Sequence, residues 1–324
     1  MKDPNAQQQT QRGFALLTVL VIVALVATLA SELIYRQGLA VQRSMNMLHQ
    51  TQAAAVSWGL EAWVKQGLLL DAKANQTDHL LEQWAQPMMP VPFEGGDISG
   101  QLFDQQGRLN LNNLQIEDAT LRQKWQRIFE RYLTLQGLEP TLAAVVMDWV
   151  DADNELTQNG AESDAYLLGA TPYRTANQKM VLVQELGLLK GGSPALIETV
   201  KNHFSALPTA TAVNVNTAPQ AVLEALADWM TPEMASDWLA QRQQTPAESS
   251  GEFRDFCRTQ GVPQERVNAD LTDEFITVQT EYFLLKGLAA YGEAQWHTAA
   301  LFYRKGSSSV NLVQRWVAVA DESN

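Results

Sequence analysis

The chain has 324 residues, of which 46% are hydrophobic and 8% aromatic, so its composition is that of a folded protein and not of a disordered one. It is longer than one typical domain of about 100 to 200 residues. A net charge of −13 argues against binding to a phosphate backbone, and nucleic acid is not expected as a partner. The single cysteine, Cys257, excludes an intrachain disulfide.

Common catalytic motifs are not found in the sequence. It contains no HExxH, GxSxG, GxxxxGK[ST] or GxGxxG pattern, which mark metalloprotease, hydrolase and nucleotide-binding sites. The four histidines lie far apart along the chain, at His49, His79, His203 and His297. We therefore expect a protein that is not an enzyme and that takes no small-molecule substrate.

The segment that begins at Phe14 is long and apolar enough to span a membrane. From Phe14 to Ser31 there are 18 residues without a charge, about the minimum for a helix that rises 1.5 Å per residue. Lys2 and Arg12 precede this segment, so the positive-inside rule places the short N-terminus in the cytoplasm and the rest of the chain across the membrane. The sequence thus predicts a single-pass protein of a bacterial inner membrane with its bulk in the periplasm.

A secretory signal peptide is the alternative for this segment. Such a peptide has an apolar region of roughly 7 to 15 residues and a cleavage site like A-x-A, for which Thr28 and Ala30 are a weak match. The apolar run here is longer, and apolar residues continue at helical spacing from Val41 to Trp63. This pattern favours a helix that leaves the membrane and continues into a soluble domain.

The junction between Gly13 and Phe14 indicates which kind of membrane segment this is. In the stretch QRGF, a polar and basic leader ends in Gly directly before Phe and the apolar run, and this resembles a type IV prepilin leader. The resemblance implies that prepilin peptidase cleaves after Gly13 and that the new N-terminal Phe14 is methylated. A plain membrane anchor, in which the Gly-Phe pair is accidental, is the alternative.

The fifth residue of the mature chain would be Thr18, where pilins and most pseudopilins carry Glu. A carboxylate in the bilayer costs on the order of 3 kcal/mol, so it is kept only where it has a partner. In that class the partner is thought to be the N-terminal amine of an adjacent subunit. A subunit without the Glu need not dock onto one already in place, which suits the first subunit at a filament tip. A degenerate anchor that never assembles is the alternative.

Strand patterns follow the long helix. Three prolines interrupt the helical pattern, at Pro87, Pro90 and Pro92. The stretch ISGQLFDQQGRLNLN alternates apolar and polar residues on both sides of Gln105-Gln106-Gly107. This alternation predicts a β-hairpin whose turn lies at those three residues.

Helical patterns then extend to about Asp273, and strand patterns return after them. In GSPALIETVKNHF, Ser193 is the expected N-cap and Pro194 the first helical residue. The returning strands are FITVQTEYFLLKGLAAYG, WHTAALFYRK and NLVQRWVAVA. The tryptophans are expected to lie in the core of the protein.

The order of helix, strands, helices and strands predicts an α+β protein. Strands so far apart in sequence share a sheet only if the helical block is an insertion, which costs little because loop-closure entropy grows logarithmically with length. We predict a pilin-like fold, a long N-terminal helix packed on an antiparallel sheet, with a large inserted all-α domain. The expected divisions are a leader at 1–13, a transmembrane part at 14–33, a first pilin-like part at 34–113, the inserted domain at 114–273 and a second pilin-like part at 274–324.

Several stretches together resemble one family, the minor pseudopilin K of bacterial type II secretion systems. They are RGFALLTVLVIVALV, AAAVSWGLEAWV, GRLNLNNL, DWVDADNE with GAESDAYL, and VNVNTAPQAVLEAL. The stretches span nearly the whole chain, and absence of the membrane Glu is usual for this member. The single cysteine is a departure, since it excludes any disulfide that relatives use.

The resemblance implies a structural role at the tip of a periplasmic pseudopilus. The expected partners are the minor pseudopilins of the I and J type, the major pseudopilin, the prepilin peptidase and the inner membrane. The filament would act as a piston or plug that helps folded exoproteins cross the outer membrane. A membrane-anchored periplasmic binding module of a related type IV pilus-like machine is the alternative.

The stretch DWVDADNELTQNGAESDAYL is the most acidic in the chain. Counted from Asp151, acidic residues fall at the first, third, fifth and twelfth places of an EF-hand-like loop, but Leu156 stands at the sixth place, where an EF-hand needs Gly. A calcium loop that wraps differently is therefore expected, with a solvated acidic loop as the alternative. The predicted calcium ligands are Asp151, Asp153, Glu155, Glu162 and Asp164.

The stretch that begins VNVNTAPQAVLEAL is similar to the opening of a helix-hairpin-helix module. Such modules bind phosphate through the exposed backbone amides of a hairpin that contains Gly. Here the hairpin Ala227-Asp228-Trp229-Met230 has no Gly and carries one acid. The pattern favours packing within the protein over binding of nucleic acid.

Overall fold

One long helix, α1 (Pro4–Ala74), opens the chain in the computed structural model, which describes residues 4–169 and 171–318, with side chains from residue 14 onward. At 1.5 Å per residue this helix is about 105 Å long. From Phe14 it is long and apolar enough to cross a membrane, and residues 14–38 are exposed. The prediction that the helix continues past the apolar run is confirmed.

The second half of α1 packs on the sheet through one face. Ala53, Leu60 and Leu68 are buried on that face. Glycine makes the close approach possible, because a Cβ at Gly287 would lie 2.9 Å from a methyl carbon of Leu60. The helix is thus fixed to the sheet by shape as well as by apolar burial.

The chain proceeds from α1 through strands, a helical segment and strands again. Strands β1 (Met88–Phe93), β2 (Gly96–Asp104) and β3 (Leu109–Asn110) come first. The helical segment comprises α2 (Ala119–Leu135), α3 (Leu142–Val150), α4 (Ser163–Leu167), α5 (Pro194–Val200), β4 (Phe204–Ser205), β5 (Val213–Asn214), α6 (Gln220–Leu226), α7 (Pro232–Arg242), α8 (Ser250–Thr259) and α9 (Gln264–Asp270). The last strands are β6 (Ile276–Thr277), β7 (Tyr282–Tyr291), β8 (Ala294–Lys305) and β9 (Ser309–Val317). Short 3-10 helices lie at Gln83–Ala85, Leu111–Gln115 and Val183–Leu188.

The main sheet is antiparallel, with the strand order β1-β2-β7-β8-β9. β2 pairs with β7 from Gly96 opposite Tyr291 to Asp104 opposite Phe283, although the whole helical segment separates them in sequence. Pro90 lies in β1, an edge strand, where its missing N–H interrupts no central ladder. The predicted α+β class, with a helix on an antiparallel sheet and an inserted helical segment, is confirmed.

The hairpin predicted at Gln105-Gln106-Gly107 is wrong. β3 does not pair with β2 but forms a parallel pair with β4, with Leu109 opposite Phe204. The physical reason is the buried carboxylate of Asp104, which accepts hydrogen bonds from the backbone N–H of Gln106, at 2.6 Å, and from the hydroxyl of Thr217. These bonds turn the chain out of the sheet and towards the helical segment.

Two short parallel ladders join each end of the helical segment to its middle. The first joins β3 to β4, and the second joins β5 to β6, with Val213 opposite Ile276. Each of these strands has two residues, which is too short for a sequence pattern to predict. The sequence therefore predicts an inserted part that is purely helical. It is instead mainly helical and tied to the sheet by these ladders.

The apolar side chains form two main cores. One lies inside the helical segment and includes the buried Trp125, Trp149 and Trp238, while the other lies between α1 and the sheet. The expectation that the tryptophans are core residues is wrong for Trp58 and Trp63 of α1, whose exposed fractions are 55% and 61%. α1 therefore presents large apolar side chains to its surroundings.

A buried polar hub joins α1, the sheet and the helical segment. Arg304 of β8 is bonded to Asp78, at 2.5 and 2.6 Å to its two oxygens, to Asp71 at 2.8 Å and to the carbonyl of Thr280 at 2.8 Å. The amide of Asn214, in β5, donates to the backbone carbonyl of Asp78 at 3.0 Å. The end of α1, the sheet and the inserted segment are thus bonded at one place.

Candidate functional site

Three carboxylates meet between α3 and α4. Asp148 lies in the last turn of α3, Asp151 follows that helix as its C-cap residue, and Glu162 is the N-cap residue of α4. One oxygen of each residue lies within 4.8 Å of an oxygen of the other two. We call Asp148, Asp151 and Glu162 the carboxylate cluster.

Burial and mutual repulsion disfavour negative charge in the carboxylate cluster. Burial raises the pKa of Asp151 to about 6, and the neighbouring charges of Asp153, Glu162 and Asp148 contribute to this rise. Burial, followed by the charge of Asp148, also raises the pKa of Glu162. A cation bound in the cluster would therefore favour the ionised forms of Asp151 and Glu162.

Two oxygens of the cluster have no hydrogen-bond partner among the described residues, Asp151 Oδ1 and Glu162 Oε1. The two carboxylate oxygens of Asp148 accept from the backbone N–H of Thr157, at 3.2 and 3.3 Å. A buried acceptor without a donor costs about 1 to 3 kcal/mol. Hard oxygen ligands of this kind suit Ca²⁺, so the cluster fits that cation.

The loop from 151 to 162 is shaped to close over the cluster. Asn159 has a φ of 68°, in the left-handed region that Asn tolerates better than most residues. The next residue, Gly160, lies directly against the carboxylate of Asp148, and a Cβ at this position would overlap it. The absence of a side chain at Gly160 therefore allows the loop to cover Asp148.

The predicted calcium ligands are distributed unevenly in the structure. Asp151 and Glu162 lie in the carboxylate cluster, whereas Asp153, Glu155 and Asp164 are exposed and lie outside it. The carboxylate of Asp153 instead accepts from the backbone N–H of Glu155 at 2.7 Å. The structure adds Asp148, which an EF-hand count from Asp151 omits. Asp148 lies three residues before Asp151, where a helical pattern ends. This spacing is the sequence signal that would place Asp148 and Asp151 at one helix end.

A second group of acids has the spacing of a metal site, but a cation of the protein already occupies it. Asp71, Asp78 and Glu82 each place an oxygen within 4.8 Å of the others. The guanidinium of Arg304 lies among them and pairs with Asp71 and Asp78. The indole N–H of Trp84 donates to Glu82 at 2.7 Å. These acids therefore form a structural ion-pair network.

The predicted processing site lies within α1. The helix passes through the Gly13-Phe14 junction; residues 1–3 of the predicted leader lie outside the described residues, as do the side chains of 4–13. Further along, the hydroxyl of Thr18 donates to the backbone carbonyl of Phe14 at 2.6 Å. The only polar group of the Thr18 side chain is thus satisfied within its own helix.

The second half of α1 carries exposed apolar side chains on a side that faces away from the sheet. At 100° per residue these side chains fall within an arc of about 60°, roughly 120° from the buried face. Their exposed fractions range from 46% to 61%. We call this set the outer stripe; its members are Val41, Met45, Leu48, Trp63 and Leu70. An apolar stripe of this kind suits a partner helix.

Comparison with known sequences finds matches along the whole chain. Two family models, both described as type II secretion system protein K, match residues 107–209 and 213–274. The type II secretion system protein K of Pectobacterium carotovorum subsp. carotovorum is 32% identical over an alignment of 318 residues, and the match covers 94% of this chain and 96% of that protein. The protein of the same description from Pseudomonas aeruginosa is 32% identical over an alignment of 321 residues, and the match covers 94% of this chain and 92% of that protein.

A solved structure has the same fold. It is the crystal structure of the GspK-GspI-GspJ complex from the type 2 secretion system of enterotoxigenic Escherichia coli. The match has a TM-score of 0.76 and 23% identity, and it covers 86% of this chain and 100% of that chain. The fold of most of this chain thus recurs in a known protein.

Proposed function

Because the chain belongs to the type II secretion system protein K family, we propose that it is the minor pseudopilin at the tip of a periplasmic pseudopilus. In this role it initiates or caps the filament that drives export of folded exoproteins across the outer membrane. The contribution of the chain is structural and not catalytic. Family membership over almost the whole length carries the proposal, and three features of the chain support it.

The outer stripe of α1 supports assembly with other helices. Trp63 and Leu70 are more than half exposed in the part of α1 that lies beyond the membrane segment. Burial of such side chains contributes about 25 cal/mol per Å² of apolar area, so a partner helix on this face is favourable. We propose the I-type and J-type minor pseudopilins as the partners, since the solved structure of the same fold is of a complex with GspI and GspJ. The major pseudopilin would continue the filament below them.

Thr18 supports a position at the tip. Its hydroxyl is bonded to the carbonyl of Phe14, so it offers no charge to the N-terminal amine of a neighbouring subunit. A Glu at this position would need that amine to offset the cost of a charge in the bilayer. A subunit with Thr18 enters a filament without a subunit already in place.

The N-terminal sequence supports the location and the processing that this role requires. The apolar segment from Phe14 would hold the protein in the inner membrane, with the soluble part in the periplasm, because Lys2 and Arg12 precede the segment. Prepilin peptidase would cleave after Gly13, and Phe14 would be methylated.

Copurification tests the proposed assembly. Full-length protein, in a non-ionic detergent, is expected to copurify with coexpressed I-type and J-type minor pseudopilins. Replacement of Trp63 and Leu70 together by Glu is expected to lower the copurified amount roughly tenfold or more, since large exposed apolar anchors dominate such interfaces. Leu156→Glu is the matched control, because Leu156 is equally exposed but lies in a loop of the helical segment. Equal recovery from all three proteins would contradict the proposed use of α1.

We also propose that the carboxylate cluster binds calcium. Its support is the close approach of three carboxylates, the buried and unpartnered oxygens of Asp151 and Glu162, and the raised pKa values. A chain with one cysteine has no disulfide to close the loop from 151 to 162. Calcium would hold the ends of α3 and α4 together in its place.

Thermal unfolding with calcium or with a chelator tests this proposal. At about a hundred times the dissociation constant, calcium would stabilise the protein by about 2.7 kcal/mol, which raises the unfolding midpoint by about 5 °C or more. The double variant Asp151→Asn and Glu162→Gln is expected to lose this shift. The matched control, Glu155→Gln with Asp164→Asn, removes two exposed acids and is expected to keep it. A calcium shift that is absent from the unaltered protein, or lost equally in both variants, would leave a solvated acidic loop.

A further inference from the structure

A basic cleft lies on the helical segment, away from the carboxylate cluster and from the outer stripe. Its walls are α2, the turn between α6 and α7, and α9, and its volume is about 380 Å³, which is within the range of ligand-binding sites. Four cationic and two acidic side chains line it, although the chain as a whole carries a net charge of −13. The cations are Lys124, Arg127, Arg131 and Arg266, and the acids are Asp228 and Asp270.

Helical spacing brings the first three cations to one face of α2. Lys124, Arg127 and Arg131 are three and four residues apart, so they follow each other along that face. Like charges at this spacing destabilise a helix, and the guanidinium of Arg127 lowers the pKa of Arg131, in addition to the larger effect of burial. The fold thus holds two guanidinium groups next to each other against their mutual repulsion, which a bound anion would remove.

The hydrogen bonds of the cleft leave donors for such an anion. Lys124 donates to the carbonyl of Ala269 at 3.1 Å, and Arg131 donates to the carbonyl of Ala225 at 2.5 Å. Each bond uses one donor of a group that has several. Arg127 is exposed and takes part in none of the hydrogen bonds or ion pairs found among the residues described here. Its planar fork is thus available to a carboxylate, which it matches in geometry.

The acids of the cleft are already engaged with other groups. Asp228 pairs with Arg266 at 2.6 Å, and Asp270 accepts from the indole N–H of Trp229 at 2.7 Å. Both carboxylates are nonetheless close enough to act on the pKa of Arg131. Among the described residues Arg266 forms an ion pair with an acid of the cleft, whereas no ion pair is found for Lys124, Arg127 or Arg131. The two acids set a limit to how much negative charge the cleft accepts.

We propose that this cleft is a docking site for an acidic segment of a partner protein, bound through carboxylates at Arg127 and Arg131. A nucleic acid is disfavoured because Asp228 and Asp270 line the cleft and would repel phosphates, and because the whole chain is negative. A lipid head group is out of reach, since α1 continues about 60 Å beyond residue 33 before the helical segment is bonded to its end. The cleft is defined by its own residues, so the proposal does not depend on the position of the chain at a filament tip.

Binding of a labelled peptide tests the proposal. Fluorescein-labelled hexaglutamate is titrated with full-length protein in non-ionic detergent, and fluorescence anisotropy gives the dissociation constant. We expect saturable binding below about 1 mM that weakens severalfold from about 50 to about 300 mM salt, since exposed ion pairs are screened. Arg127→Glu is expected to weaken binding tenfold or more, and Arg131→Lys, which keeps the charge but loses the fork, to weaken it severalfold.

Two controls test whether the peptide binds at this cleft and through its charge. Lys305→Glu makes the same change of charge at an exposed position on the sheet, and it is expected to leave the affinity unchanged. Labelled hexaglutamine is expected not to bind. The proposal is overturned if hexaglutamate fails to saturate, if Arg127→Glu and Lys305→Glu weaken binding equally, or if a labelled oligothymidylate binds more tightly than the peptide.

Discussion

Replacement of Arg304 by Met is expected to open the junction between α1, the sheet and the helical segment. Met keeps most of the apolar stem of Arg304 but removes the guanidinium, which lies over the ring of Phe283. This leaves the buried Asp78 and the partly buried Asp71 without their cation. Removal of one partner from a buried ion pair costs about 3 to 5 kcal/mol. The hydrogen bond from Arg304 to the carbonyl of Thr280 is lost as well, so the expected loss of stability lies within this range and not below it.

Hydrogen exchange measures this opening at named amides. The N–H of Thr280 donates to Asp78 Oδ2 at 2.7 Å, and the N–H of Asp78 donates to the carbonyl of Val278 at 2.8 Å. A cost of about 3 kcal/mol or more corresponds to exchange roughly a hundredfold faster at these amides, if local opening limits exchange. Arg258→Met is the control, because the pair of Arg258 with Asp255 is exposed and such pairs contribute about 0 to 1 kcal/mol.

The effect of Arg304→Met is also expected to depend on pH. Burial raises the pKa of Asp78 to about 7 from 3.8, even though Arg304 favours the ionised form. The folded protein therefore binds the extra proton between these two pH values, and the contribution of Asp78 to stability falls as the pH rises from the lower value to the higher. Without Arg304 the ionised carboxylate is less favourable still and the pKa of Asp78 rises further, so the deficit of the variant widens as the pH rises above about 7. Unchanged exchange at both amides, or a deficit that shrinks as the pH rises, would refute this reasoning.

Four further outcomes are expected. Gly13→Trp leaves an uncleaved precursor, as seen by mass spectrometry of the N-terminus, whereas a natural mature chain that begins after the apolar run would contradict cleavage at this site. Thr18→Glu does not increase copurification with the other minor pseudopilins; an increase would exclude the argument for the tip. Burial raises the pKa of the Cys257 thiol to about 12, so iodoacetamide labels it only after unfolding, and rapid labelling of the folded protein would disprove its burial. Gly160→Ala forces a Cβ onto the carboxylate of Asp148, so it is expected to lower the free energy of unfolding by about 1 to 3 kcal/mol. It is also expected to weaken the calcium-dependent shift of the unfolding midpoint. A variant as stable as the unaltered chain would be at odds with this packing.

The long elements were predictable because their signals are repeated over many residues. The apolar spacing past Val41 predicts the extension of α1, and the alternating patterns near the end of the chain predict β7, β8 and β9. The N-cap signal at Ser193 is confirmed by its hydroxyl, which accepts from the N–H of Leu196 at 3.1 Å. Repetition makes such patterns insensitive to any one residue.

The role of the buried asparagines was not predictable from local pattern. In GRLNLNNL, alternation suggests a strand, but the side chain of Asn110 accepts from the N–H of Leu207 at 3.0 Å, and that of Asn113 accepts from the N–H of Thr211 at 3.0 Å. These side chains bond backbone nearly a hundred residues away, in place of a neighbouring strand. A sequence pattern reports periodicity, whereas such bonds depend on which distant loop the fold brings near.

The carboxylate cluster was predictable in part from its local sequence, whereas the basic cleft was not. Asp151 and Glu162 are close in sequence, and their spacing identifies both as candidate ligands. The basic cleft is built from α2, the turn after α6 and α9, so its cations are scattered over more than a hundred residues. Only the packing of these helices reveals that Arg127 and Arg266 line the same cleft.

The pairing of β2 with β7 has a consequence for how the protein folds during its synthesis. Their partner residues are 179 to 195 residues apart, and the N-terminal part of the chain emerges first. Until β7 arrives, β2 has an open edge that another unfinished chain could pair with. The helical segment, whose core is complete without β7 to β9, can fold during this interval and bring residue 276 beside residue 213. Its early folding would shorten the exposure of that edge, so a mutation in the helical core is expected to cause aggregation through the sheet.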